Sequence, residues 1–258
     1  MLDASLKLYR YRWLVYEMVL RNVRLRYRGS VLGVIWTLLN PLIFMAIYTV
    51  VFSVYRSSGI HNYPLYLLSG IIPFNFFATA LLQGTTGVLD GRFYVGKTLF
   101  PTVVLVVVPV LTNAVNFVIS MPLVLVLALA SGVHLGWSLL LLPLVFIIEL
   151  FLVQAAVTIL ATMNVFFRDV HELVTSGVTV LFFMTPIFYQ ETIVPAKFFA
   201  IVTLNPLAAL IESYHHILFS GTMPSFPRLG FALIVSLVGL VVANATFERY
   251  RESFSQYL

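Results

Sequence analysis

LDGRFYVGKTLFPTVVLVVVPV, residues 89–110, decides between two kinds of protein. Its first half carries Gly91, Gly96, Lys97 and Thr98 in the spacing G-x-x-x-x-G-K-[ST]. In a phosphate loop with that spacing, backbone N–H groups and the lysine cradle nucleotide phosphates. Four fixed positions are a weak signal, matched by chance in on the order of 1% of chains this long. A working loop also needs a buried strand before it and a helix after it, inside an α/β domain. Here LLQGTTGVLD reads as the end of one membrane helix and LFPTVVLVVVPV as the start of the next. The context predicts a helix–turn–helix at a membrane face, and the phosphate-loop match is a coincidence.

Composition points the same way. The chain has 258 residues, of which 60% are hydrophobic and 10% charged, and its mean hydropathy is +0.99. Soluble domains hold about 25% charged residues, so this chain has too few to cover a water-facing surface. It reads as one all-α integral membrane domain over residues 1–258. There is no cysteine, which excludes disulfides, thiol catalysis and cysteine metal sites. His61, His134, His171, His215 and His216 show no metal-ligand spacing, so no metal is expected. No cleavable signal peptide is expected either: the first 28 residues are rich in Arg and Tyr and lack an apolar core.

A bilayer core needs about 20 mostly apolar residues per helix. Six stretches qualify, at about 31–55, 64–89, 102–130, 138–164, 171–189 and 229–247. The second and fifth are rich in Gly, Ser and Thr, which suits close packing inside a bundle. Pro41, Pro73, Pro109, Pro122, Pro143 and Pro186 fall inside these stretches, where neighbouring helices can satisfy the freed carbonyls. Residues 190–220 are long enough to cross, yet hold Asn205-Pro206, Glu212, His215 and His216. They read as two short re-entrant helices on the outer face, broken at Asn205-Pro206, which we expect to act as an outer gate.

Charge decides against a seventh span. With six, Lys7, Arg10, Arg12, Arg21, Arg24, Arg26, Arg28, Arg92, Lys97, Arg168, Arg249 and Arg251 share one side, and only Arg56, Lys197 and Arg228 the other. The positive-inside rule puts the larger group in the cytoplasm, with both termini. The net charge of +5 is then a topology signal and not one for nucleic acid.

Residues 5–28 place Lys7, Arg10, Glu17, Arg21, Arg24 and Arg28 along one helical stripe, with Leu8, Tyr11, Val15, Met18 and Val19 roughly opposite. This spacing predicts an amphipathic helix in the membrane interface. Arg24, Arg26 and Arg28 are candidates for a phosphate headgroup, because a guanidinium fork matches phosphate oxygens. On a helix Arg24 and Arg28 share a face and can grip one phosphate or one acidic patch together, while Arg26 points away and is expected to serve something else, a lipid or the neighbouring subunit. A plain anchoring role remains open for all three.

The 90–101 loop is short, basic and aromatic. Arg92, Phe93, Tyr94, Lys97 and Phe100 suit docking to a partner, or simply form a positive turn. Arg168 and Asp169 follow the fourth stretch, either as a local salt bridge capping the next helix or as part of a coupling surface. Glu149 sits mid-span, where an ionised carboxylate is costly, so it lines a path or makes an interhelical hydrogen bond. Tyr48, Phe52, Tyr55, Phe74, Phe76 and Phe77 are candidates to line a polymer path, since sugars pack on aromatic faces; in such a chain many aromatics instead face lipid.

Several motifs occur together in order: RNVRLRYRGSVLGVIWTLLNPLIFMAIYTVVFS (21–53), VGKTLFP (95–101), MNVFFRDV (163–170), FFMTPIFY (182–189) and LNPLAALIESYHHIL (204–218). The set resembles the ABC-2 type transporter permeases that export surface polysaccharides. One departure is Asn22, where that family often has Asp, so no acidic role is carried onto it. The resemblance implies a homodimer pairing with two copies of a separate ATPase subunit, with ATP and Mg on that partner and no cofactor in this chain. It also implies a polyprenyl-pyrophosphate-linked polymer of O-antigen type as substrate, in the bacterial inner membrane, for lipopolysaccharide biosynthesis. A teichoic acid, another lipid or a drug as the cargo of an ABC-2 exporter is the alternative, and Glu149 keeps a proton-coupled carrier open.

Overall fold

The computed structural model describes residues 10–55, 60–95 and 100–257, with the side chains of 52–55 and 255 left undescribed. Among the described residues every regular element is a helix: α1 (Arg12–Tyr27), α2 (Ile35–Tyr55), α3 (Tyr63–Asp90), α4 (Val103–Ala130), α5 (Leu142–Phe166), α6 (Val170–Met184), α7 (Ala196–Thr203), α8 (Pro206–Tyr214), α9 (Phe226–Tyr250) and the short α10 (Phe254–Tyr257). A 3-10 turn, Trp137–Leu141, leads into α5.

Among the described residues, four helices qualify by length and apolar character to cross a bilayer: Tyr63–Asp90, Val103–Ala130, Trp137–Phe166 and Phe226–Ser253. Two shorter apolar stretches, Ile35–Val51 and Val170–Met184, lie among them. The fifth stretch expected from sequence stops early. Its helix ends at Met184, and Thr185 turns to extended backbone because Pro186 crowds the residue before it out of the helical region. The break at Asn205-Pro206 separates α7 from the α8 segment by 87°.

α3 is the centre of the bundle, with α4 and α5 its main neighbours and α6, α8 and α2 around them. Glycines set the spacing. A methyl group on Gly84 would sit 2.4 Å from Val157 of α5, and one on Gly87 2.5 Å from the Leu105 carbonyl of α4. The prolines inside helices free carbonyls one turn back, and at Pro41 a neighbouring helix answers. Pro41 leaves the Thr37 carbonyl without its helical donor, and the Ser120 hydroxyl of α4 donates to it at 3.4 Å. α9 lies mainly along α5, and the chain end folds back so that Phe166 packs edge-on against Tyr250 and Tyr257.

α1 packs Val15 against Val104 and Val108 of α4, flanked by Leu14, Met18 and Val19. Trp13 and Tyr16 stay exposed, so its apolar residues are not confined to the packed side.

Candidate functional site

Apart from the buried Ser69 and Thr85, the aliphatic hydroxyl, amide and carboxylate residues of α3 fall in one row. Asn75, Thr79, Gln83, Thr86 and Asp90 recur at three- and four-residue steps, so they share a face. The rest of α3 over 63–90 is almost wholly buried, whereas Thr79, Gln83 and Asp90 are exposed. α4 contributes Asn113, Asn116 and Ser120 to the same side, and α2 contributes Thr37 and Asn40.

Three clefts run along this row. The first, about 600 Å³, is walled by amides (Asn40, Asn75, Asn113, Asn116) and by aromatic faces (Trp36, Phe44, Phe76, Phe117). The second, about 510 Å³, opens between α1, α3 and α4 and holds Arg21, Asn22, Gln83, Thr86 and Asp90. The third, about 380 Å³, lies between α2, α3 and α6 and is mostly apolar, with Tyr48, Phe74, Phe182 and Phe183 in its wall. Phe44 and Asn75 belong to both the first and the third, so those two form one continuous surface.

Arg26 joins the first cleft to the second. Its guanidinium donates to Gln83 Oε1 at 2.8 Å and to Asn113 Oδ1 at 3.2 Å. Asn113 Nδ2 in turn donates to Gln83 Oε1 at 3.0 Å and to the Pro109 carbonyl at 2.9 Å, which fixes its orientation. Next to Arg26, the Tyr27 hydroxyl donates to Asn116 Oδ1 at 2.8 Å and also bonds Thr37 Oγ1. Arg24, Arg26 and Arg28 are all exposed, and of the three only Arg26 lines these clefts. Spacing pairs Arg24 with Arg28 and leaves Arg26 to another task; the structure brings Arg26, and neither of the other two, to the clefts, where it bonds Gln83 and Asn113.

The other candidates fall in different places. Tyr48 stacks on Phe188 and packs against Phe182. Phe74 and Phe76 are buried in cleft walls, and Phe77 is buried beside Phe74. The side chains of Phe52 and Tyr55, and all of Lys97, lie outside the described residues. Glu149 is fully buried and lines none of the described clefts. One carboxylate oxygen accepts from the Tyr214 hydroxyl of α8 at 2.8 Å and the other has no partner among the described residues, so of the two roles open on sequence the geometry is that of an interhelical bond. Asn205 caps α8, accepting from the Leu207 N–H at 3.0 Å, and donates to Thr185 Oγ1 at 3.3 Å, with Pro206 next in the first turn.

In the 90–101 loop, Arg92 lies over the exposed Phe93 ring and Tyr94 stacks on Phe100. α3 runs unbroken to Asp90 before it and α4 begins at Val103 after it, so the phosphate-loop match joins two helices. Arg168 and Asp169 are exposed and make no ion pair with each other, and Asp169 makes no side-chain cap bond. The local salt bridge expected there is replaced by Asn164. Buried in the last turn of α5, it accepts from the His171 N–H at 3.2 Å and donates to the Thr85 carbonyl at 3.1 Å, tying α5, α6 and α3 together. An asparagine in an otherwise apolar last turn was the available signal.

A second polar knot was missed as well. Arg228 of α9 bonds both Glu191 and Glu212, and His216 lies 3.7 Å from Glu212. It clasps α8 to α9 and to the 3-10 turn Glu191–Ile193. Separations of 16 and 37 residues hide it from any local reading.

A polar row carried on apolar helices is a transporter's arrangement, and comparison with known proteins identifies which kind. The family model described as ABC-2 type transporter matches residues 14–219. The chain belongs to the ABC-2 type transporter family. Among its relatives is the O-antigen export system permease protein RfbA of Myxococcus xanthus, 37% identical over 97% of each chain. RfbA of Klebsiella pneumoniae is 28% identical over 92% of each. The polysialic acid transport protein KpsM of Escherichia coli is 20% identical over 93% of this chain and 94% of its own. In this ABC-2 chain the matched region contains all three clefts, Arg26 and the Asn205 cap, and ends just before α9.

Proposed function

We propose that this chain is the permease subunit of an ATP-driven exporter that moves a surface polysaccharide of O-antigen type, linked to a polyprenyl diphosphate, across the bacterial inner membrane. The observation that carries the reading is the row Asn75, Thr79, Gln83, Thr86 and Asp90, open along one side of a membrane helix. Polar side chains at that depth need a protein partner or a water-filled cavity. A second copy closing over the α2–α3 side converts the open clefts into a lined path. Amides there suit sugar hydroxyls, and the faces of Trp36, Phe44, Tyr48 and Phe74 suit sugar rings. The relatives' names, two of which specify O-antigen export, support the cargo class.

In this reading the chain crosses six times with both termini in the cytoplasm. α6 alone spans roughly 22 Å, short of a core of about 30 Å, and the irregular, bent segment 185–189 makes up the remainder. α1 lies at the cytoplasmic interface, and α7 and α8 dip into the outer face without crossing. Two copies of the chain work with two copies of an ATPase subunit, which holds the ATP and Mg. Arg92, Phe93 and Tyr94, with the exposed Arg168 and Asp169, offer that subunit a charged and aromatic docking surface.

Deletion of the gene in its host tests the reading. Polymer is expected to accumulate inside the cell and disappear from the surface, and plasmid-borne permease restores it only with a hydrolysis-competent ATPase. Unchanged surface polymer in the deletion strain, or rescue with a dead ATPase, rejects the proposal.

A further inference from the structure

We infer that Phe188 is the fixed aromatic face at one end of the third cleft, and that His215 is the positioning residue that holds it there. His215 itself lines none of the described clefts. The inference rests on the export reading, and it names which side of the path stays still when a saccharide passes.

Three observations carry it. First, the bent, non-helical segment 185–189 has its carbonyls met by side chains from other elements. The Tyr63 hydroxyl donates to the Phe188 carbonyl at 3.0 Å, and the Tyr66 hydroxyl to the Tyr189 carbonyl at 2.7 Å. His215 Nε2 lies 3.1 Å from the Pro186 carbonyl. A carbonyl oxygen can only accept, so Nε2 carries a proton and donates it. His215 opens the π-helical turn His215–Phe219 that follows α8, a distortion frequent at functional sites. Second, His215 is itself firmly seated. It is 7% exposed, and its ring lies nearly parallel to that of Tyr66 with centroids 4.0 Å apart. Its Nδ1 is 2.9 Å from the Ser69 hydroxyl. Gly70 leaves room for the ring: a methyl group there would sit 2.9 Å from His215 Cε1 and 3.2 Å from the side chain of Ile187. Pro186 and the fully buried Ile187 are therefore fixed from behind, and Phe188 is the next residue along.

Third, Phe188 meets the wall of the cleft. Its ring stacks on Tyr48 of α2, with centroids 6.2 Å apart, and lies 5.8 Å from Phe182. Tyr48 and Phe182 both line the third cleft. A saccharide between two rings needs a contact distance of about 3.5–4.0 Å on each side. The 6.2 Å between these centroids is less than that, so the pair is closed and has to part for a sugar to pass. On the Tyr48 side, α2 leaves Ile43, Phe44, Ile47 and Val50 exposed. On the Phe188 side, Tyr63, Tyr66 and His215 tie the backbone down. Tyr48 is the half that moves, and Phe188 the half that stays.

The test measures the rate at which surface polymer appears in the deletion strain carrying full-length variants, compared at equal membrane levels of the protein. His215→Leu keeps apolar bulk without the donor and is expected to slow export at least fivefold. His215→Gln, whose amide still donates, is expected to stay within twofold of the parent. Phe188→Ala is expected to lose at least fivefold as well. Because His215 acts through Phe188, the two losses are expected not to multiply: the double variant stays within twofold of Phe188→Ala alone. Losses that multiply overturn the inference, since they mark a side chain that merely satisfies a buried carbonyl. So does export by His215→Leu within twofold of the parent, or a loss in His215→Gln equal to that in His215→Leu. If His215→Leu fails to insert, Ser69→Ala, which releases Nδ1, takes its place in the same cycle. It is expected to lose at least threefold, and export within twofold of the parent overturns the inference. A parent that exports no polymer rejects the export reading and this inference with it. A working parent whose variants match it loses the role of His215 and keeps the function.

Discussion

Gly87 presents its bare α-carbon to the carbonyl of Leu105, and a side chain there would sit 2.5 Å from that oxygen. The contact has a cause in sequence. Pro109, four residues after Leu105 on α4, has no N–H to donate, so the Leu105 carbonyl lacks its helical partner. The glycine lets α3 approach closely enough for a Cα–H group to face that oxygen.

Gly87→Ala is therefore expected to destabilise the permease by about 1–3 kcal/mol through overpacking. Thermal unfolding of purified protein, followed by loss of monodispersity, checks it. Gly177→Ala on α6, with open space around it, is the control and is expected to leave the melting temperature unchanged or slightly raised.

Tyr214→Phe removes the hydrogen-bond partner that the buried Glu149 has among the described residues. Leaving a buried polar group unmet costs about 1–3 kcal/mol, so this variant is expected to melt well below the parent. Adding Glu149→Leu to it removes the unmet group and is expected to recover most of the loss. A double variant no better than the single would show that the hydroxyl has another role.

The clasp on Arg228 makes a regional prediction. Arg228→Gln leaves Glu191 and Glu212, which now share one cation, facing each other without it. A hydrogen bond to a charged group is worth about 1.5–3 kcal/mol, and amide exchange is expected to speed up over 191–219 while α3 to α5 keep their protection. Uniform loss of protection would make the clasp a global brace and not a local one.

The cysteine-free chain makes topology directly readable. A cysteine at Gln256 is expected to resist membrane-impermeant maleimide on intact cells and to react once they are opened. A cysteine at Lys197 is expected to react from outside. Reversal of either result removes the six-crossing arrangement with cytoplasmic ends.

The sequence by itself determined the class of the protein and most of its helices. Apolar stretches of bilayer length, with so few charges, have no other stable form, because backbone groups in lipid must be satisfied within the segment. The Asn205-Pro206 break and the helical context of GRFYVGKT were equally legible, since proline and strand–helix order act locally. What Arg26 holds, which partner Glu149 finds, and that Asn164 rather than Asp169 fastens the start of α6 were not. Each depends on side chains from helices tens of residues apart meeting at one point, as Arg26 meets Gln83 and Asn113 across 57 and 87 residues. Helical spacing fixes the face on which a residue lies; only the packing of α1 against α3 and α4 decides what that face meets.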